Sequence, residues 1–139
     1  MVAPPEESVP LRKQVAVYAT AMFADGYSAA DLLHGPIASA SADVASIALS
    51  TDPATEKSID GSLDRLRAAG APLLLIRSDA SGSRRMGRDE ELVLPTGPHG
   101  PLCTPVTAIA GLAIIESVAT GRGLNPDAPQ GLTKVTKTL

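Results

Sequence analysis

Five consecutive apolar residues, Pro72-Leu73-Leu74-Leu75-Ile76, stand between a glycine, Gly70, and a polar stretch. A strand with one face in water alternates apolar and polar side chains. An unbroken run instead suits a strand buried on both faces, as in the middle of a parallel sheet. Parallel neighbours need a crossover, usually a helix, and the residues before the run spell one out. Asp52 is a good N-cap and Pro53 a good first helical residue. Ile59, Leu63 and Leu66 make one apolar stripe, and Gly70 closes the helix. Val44 to Leu49 reads as the preceding strand and Glu91 to Leu94 as the following one, beyond a polar surface loop from Ser78 to Asp89. Thr104-Pro105 repeats the cap-then-proline signal. It opens a helix through Val118 with Val106, Ile109, Ala113 and Ser117 along one face, and Gly121 and Gly123 end it. This order of elements predicts an α/β domain with a mostly parallel sheet.

Upstream, Leu11, Val15, Tyr18 and Met22 recur at helical spacing, which predicts a helix over Ser8 to Ala24 stopped by Asp25-Gly26. A short second helix is expected from Ser28 to Leu33, capped by Ser28 and ended by His34-Gly35-Pro36.

Composition narrows the function classes. Phe23, Tyr18 and Tyr27 are the only aromatic residues among 139, so the core must be aliphatic, and platforms that stack bases or sugars on rings have nothing to be built from. The formal net charge of −3 leaves no basic surface for nucleic acid. The longest apolar stretch, Ala108 to Ile115, is far short of a bilayer span, and Met1 to Val9 lacks the charged-then-apolar pattern of a secretory signal. A cytoplasmic protein that contacts neither nucleic acid nor membrane is expected. Cys103 has no second cysteine to pair with and reads as a small helix-flanking residue.

Read one by one, the polar residues point to little chemistry. His34 at a helix end has an ordinary role as a cation complementing the helix dipole. Lys134 and Lys137 lie in an irregular tail, where lysines are usually solvated. Ser81-Gly82-Ser83-Arg84-Arg85 can cradle an anion, but it lacks the phosphate-loop pattern, and a solvated loop is the simpler reading. Asp25 and Asp31 form no evident carboxylate pair.

Two stretches add information together. Gly26-Tyr27-Ser28-Ala29-Ala30-Asp31-Leu32-Leu33-His34-Gly35-Pro36 resembles the "E-x-x-x-A-x-E-L-x-H-G-P" segment of sugar isomerase (SIS) domains. In particular, it resembles the second SIS domain of glucosamine-6-phosphate synthase and related sugar-phosphate isomerases and deaminases. The tail from Gly123 to Thr136 is similar to the same family's "G-x-(N/D)-x-D-x-P-(R/x)-x-L-x-K-(S/V)-x-T" ending. The resemblance covers residues 21–139, whereas residues 1–20 match poorly and are expected to be helical. It implies a three-layer SIS-like domain short of its first strand and helix, and an open edge there would pair with another chain. It also implies a phosphorylated hexose or amino sugar as ligand, neither cofactor nor metal, and either a homo-oligomer or a partner SIS domain. By position, His34 becomes the residue that opens the sugar ring and Lys134 the tail residue that closes over it.

The departures bear on activity. The family's "K-x-x-E", whose glutamate moves a proton between C1 and C2, falls here on Val15 and Tyr18. A phenol with a pKa near 10 is a poor substitute for a carboxylate base. Three readings stay open at the level of sequence: a sugar-phosphate isomerase or aminotransferase-like domain, a catalytically inactive sugar-phosphate-binding module, and half of a split or truncated enzyme.

Overall fold

The computed structural model describes residues 16–17, 19–50, 56–78, 90–94 and 103–131. Its sheet has three strands, β1 (Ser46–Ser50), β2 (Leu73–Ser78) and β3 (Glu90–Leu94), in that spatial order. Both pairings are parallel, with Ala48 beside Leu75 and Leu75 beside Glu91. The helices are α1 (Ala29–Leu33), α2 (Glu56–Ala68) and α3 (Cys103–Gly121), and a 3-10 turn covers Pro36–Ser39.

Side chains alternate across a strand, so β1 and β2 feed two cores. Ala48, Leu73 and Leu75 point to one face and pack with Leu32 of α1 and Ile59, Leu63 and Leu66 of α2. Leu49 and Ile76 point to the other, against Ala110 and Ile114 of α3. The result is three layers: α1 and α2, the sheet, then α3. Both cores are aliphatic, as the scarcity of rings requires, and Ile76 is completely buried.

The glycine stops act where expected. At the end of α2, Gly70 N–H donates to Arg67 O and Ala71 N–H to Leu66 O. At the end of α3, Gly123 N–H donates to Thr120 O and Leu124 N–H to Ala119 O. Both are the paired bonds of a Schellman ending, and the residue after each glycine packs into a core. α3 begins at Cys103, two residues before Pro105. Proline is tolerated there because the first N–H groups of a helix have no intrahelical acceptor. The expected Asp52-Pro53 cap lies outside the described residues.

Two expectations are corrected. Along α3 the inward row is Thr107, Gly111, Ile115 and Ala119, while Ile109 is 69% exposed and Ala113 and Ser117 also face out. Apolar residues lie all round this helix, so the pattern alone did not mark which side the sheet takes. The first helix stops early: Ala16, Val17, Ala19 and Thr20 are helical, but Ala21 sits at φ 51° and Met22 is exposed. Once the chain leaves the helix the 3.6-residue period lapses, and small Ala16 and Ala19 pack on Ile115 and Ala119 instead. Among the described strands β1 and β3 both lie at an edge of the sheet. Ala48, Leu49 and Ser50 of β1 are almost wholly buried, whereas Glu90, Leu92 and Val93 of β3 are exposed.

Candidate functional site

The site is built on the short stretch from Asp25 to Ser39. Ser28 caps α1 by accepting a hydrogen bond from Asp31 N–H at 3.1 Å, and its own hydroxyl donates to Asp31 Oδ2 at 2.7 Å. A five-residue helix cannot hold itself together in water, so tertiary contacts do it. Leu32 is buried in the core shared with α2, and Ser62 of α2, fully buried, donates to Ala29 O at 2.8 Å.

His34 is the C-cap of α1, with its backbone N–H donating to Asp31 O at 3.1 Å. Gly35 follows at φ 151° and ψ −53°, a conformation open in practice to glycine alone. The chain turns there, Pro36 starts the 3-10 turn, and Ala38 N–H bonds back to Gly35 O at 2.9 Å. Ile37 then packs against the same core as Leu32. His34 therefore sits between two residues anchored in the interior. Its own side chain is exposed and has no hydrogen-bond partner among the described residues. It is an imidazole on a fixed turn with both ring nitrogens available to a ligand.

Just upstream, Tyr27 Oη donates to Asp25 Oδ2 at 2.8 Å, and Gly26 N–H donates to Asp25 Oδ1 at 2.9 Å. The hydrogen bond to Asp25 holds the Tyr27 phenol above its ordinary pKa, helped by burial and by the carboxylate charge. Tyr27 is thus a neutral donor across the physiological range, and Asp25 braces the entry to the turn. Neither role was visible in the spacing. The Asp-Gly-Tyr order is the only signal there was, because a carboxylate two residues from a phenol on a turn can reach it. Asp25 bonds to Gly26 and Tyr27, and Asp31 to Ser28.

Of the other residues singled out from sequence, Lys134, Tyr18 and Val15 lie outside the described residues, as does the Ser81 to Arg85 loop. Cys103 is the first residue of α3. Among the described residues no group of His, Cys, Asp and Glu is arranged to hold a metal ion, and no helix is long and apolar enough to cross a membrane. A shallow depression of about 380 Å³ lies between β3 and α3. It is on the sheet face opposite His34 and lined almost wholly by hydrocarbon, so it does not suit a sugar.

No family model matches the chain. Among curated proteins it is 31% identical over 112 residues to the glutamine–fructose-6-phosphate aminotransferase (isomerizing) of Chlorobaculum tepidum, covering 80% of this chain and 18% of that protein. The protein of the same name from Methanothermobacter thermautotrophicus is 30% identical over 117 residues, covering 83% of this chain and 20% of the relative. The chain thus spans about a fifth of the length of the curated relatives it matches. Among solved structures it superimposes on the C-terminal domain of glucosamine-fructose-6-phosphate aminotransferase from Francisella tularensis. The TM-score is 0.69 at 21% identity, over 84% of this chain and 33% of that one. The ordered His-Gly-Pro turn, the parallel three-layer sheet and these matches agree: in sequence and in fold, the chain is a relative of the C-terminal sugar isomerase (SIS) domain of the isomerizing glutamine–fructose-6-phosphate aminotransferases.

Proposed function

We propose that this chain binds a phosphorylated hexose or amino sugar, with His34 as the acid/base that opens the sugar ring and Lys134 as the tail cation that closes over it. The observation that carries this reading is the His34 turn. An exposed imidazole, without a partner among the described residues, is held between two core-anchored residues, in a chain whose relatives are named for fructose 6-phosphate. Ring opening moves a proton from the anomeric hydroxyl to the ring oxygen, and imidazole can take and give protons near neutral pH. A turn fixed from both sides keeps the ring in one place while it does so. A lysine on a tail adds positive charge beside the phosphorylated ligand after it has bound and helps exclude water. Location in the cytoplasm, and assembly with a second copy or another SIS domain, belong to the same proposal.

Tyr18, at the position of the family's glutamate base, favours a second reading: a module that binds the sugar phosphate without moving the C2 proton. One pair of measurements separates the two. The chain is incubated in deuterium oxide with fructose 6-phosphate or glucosamine 6-phosphate, and exchange at C1 of the ketose or at C2 of the amino sugar is followed by NMR. Binding of the same ligands is measured by calorimetry. Exchange that disappears in His34→Ala establishes the catalytic reading, and binding without exchange establishes the module. Absence of both overturns the proposal.

A further inference from the structure

Ser62 stands where the apolar stripe of α2 calls for a hydrocarbon. Ile59, Leu63 and Leu66 take the neighbouring places on the inward face, and Ser62 lies among them, wholly enclosed. A buried hydroxyl is costly unless it is hydrogen-bonded, and inside a helix the nearest acceptor is the carbonyl one turn back. Thr20 and Ser117 use that local acceptor, donating to Ala16 O at 2.6 Å and to Ala113 O at 2.8 Å. Ser62 does not. Its hydroxyl crosses to α1, 33 residues earlier in the chain, and donates to Ala29 O at 2.8 Å.

That contact is placed to govern one residue. Ala29 opens α1 and His34 is its C-cap, so the two lie about 7.5 Å apart along the axis at about 1.5 Å per residue. Leu32 and Ile37 hold the same stretch by apolar contact with the core. Apolar burial is non-directional, and it leaves so short a helix free to roll on the surface beneath it. A hydrogen bond, in contrast, weakens steeply as its angle departs from the preferred one. The bond from Ser62 therefore fixes a rotation that the apolar contacts leave open, and that rotation decides where the imidazole of His34 projects. Ser62 is enclosed and reaches no ligand itself. It acts only through α1.

We propose that Ser62 is a positioning residue for His34: its bond to Ala29 O sets the orientation of α1 and so holds the imidazole in place against the sugar ring. The mechanical part of this proposal needs no ligand. The catalytic part rests on the reading of His34 as the acid/base that opens the ring.

The test compares Ser62→Ala with Ile76→Val in the full chain. Each removes a small buried group and leaves a residue suited to its helix or strand. Ile76, however, lies on the opposite face of the sheet, against α3. A merely structural role for Ser62 makes the two variants alike at His34, whereas a positioning role makes them differ. In Ser62→Ala, the NMR order parameters of the Leu32 and His34 N–H groups should fall. Hydrogen exchange of those amides should rise on the order of tenfold, as loss of one hydrogen bond allows. In Ile76→Val both should stay at wild-type values. With fructose 6-phosphate or glucosamine 6-phosphate, deuterium incorporation into the sugar should slow on the order of tenfold or more in Ser62→Ala, at unchanged calorimetric affinity. Unchanged α1 amides in Ser62→Ala, or equal changes in both variants, overturn the proposal whether or not a sugar binds. A loosened α1 with incorporation as fast as wild type overturns its catalytic part. Loosening confined to Ser62→Ala, in a chain that neither binds nor labels a sugar phosphate, upholds the mechanical part and overturns the sugar-phosphate reading instead.

Discussion

Single residues here act through backbone geometry and short-range charge more than through bulk. Gly35 lets the chain reverse directly after His34, and Asp25 polarises the Tyr27 hydroxyl two residues along. The Tyr27 pair has a pH signature. Its pKa is raised on folding, so the folded chain holds the phenolic proton more tightly than the unfolded chain. That contribution to stability is whole below the ordinary phenol value near 10 and is lost as pH rises through the folded value. We expect urea-unfolding stability to decline above that point, and Tyr27→Phe to decline less steeply than wild type. In the tyrosinate absorbance titration, the variant should lack a component that titrates above the ordinary phenol value. A wild-type Tyr27 that titrates at or below the ordinary value contradicts this account. The stretch from Ser28 to Pro36 was legible at this scale because caps and glycine turns depend on neighbours within a few residues. The strained Ala21 was not, since alanine carries no sign that it will be left-handed.

At the scale of elements, the order of strands and helices and the glycine endings of α2 and α3 followed from local patterns, but the cross-strand chemistry did not. Arg77 Nε donates to Glu91 Oε1 at 2.8 Å, and its Nη2 reaches Oε2 at 3.4 Å, tying β3 to β2. Both side chains are mostly buried. Fourteen residues separate them, and nothing in their spacing announces that Arg77 pairs diagonally with a residue beside Leu75. Glu91→Ala removes this carboxylate from a mostly buried guanidinium and should cost about 2 kcal/mol. Replacing both residues, Arg77→Met with Glu91→Leu, should cost less than the single change, because the exposed need for a partner is removed with the charge. Denaturant titration of the two variants reads both. A double variant that loses as much as Glu91→Ala, or more, would show that the cost does not come from the charge left behind. The register that sets this pair is a property of two strands meeting, so it belongs to tertiary structure. The same holds for α3. Its apolar residues surround the helix, and only contact with β1, β2 and the Ala16–Thr20 segment selects Thr107, Gly111, Ile115 and Ala119 as the buried row.

For the whole molecule, two aliphatic cores on either side of a three-stranded sheet carry the stability. Ile76 is the centre of one of them and is wholly enclosed. Ile76→Ala should therefore cost about 2–5 kcal/mol from lost transfer energy and a residual cavity. That is a large part of the 5–15 kcal/mol typical of a domain. It should appear as a lower urea midpoint at unchanged slope. Val44→Ala, outside the strand and half exposed, should change stability by less than about 0.5 kcal/mol. If the two behave alike, the sheet is not packed as described.

The sequence by itself pointed to the parallel α/β architecture, because an unbroken apolar strand suits the middle of a parallel sheet and the glycine stops depend only on neighbouring residues. It also marked the His-Gly-Pro turn, whose conformation is set by three adjacent residues. Tertiary structure alone decided which face of α3 turns inward, where the first helix breaks, and that Arg77 meets Glu91. Each of these depends on residues brought together from distant parts of the chain. The free energy of burying one apolar face instead of another is settled only when the surface that covers it is in place.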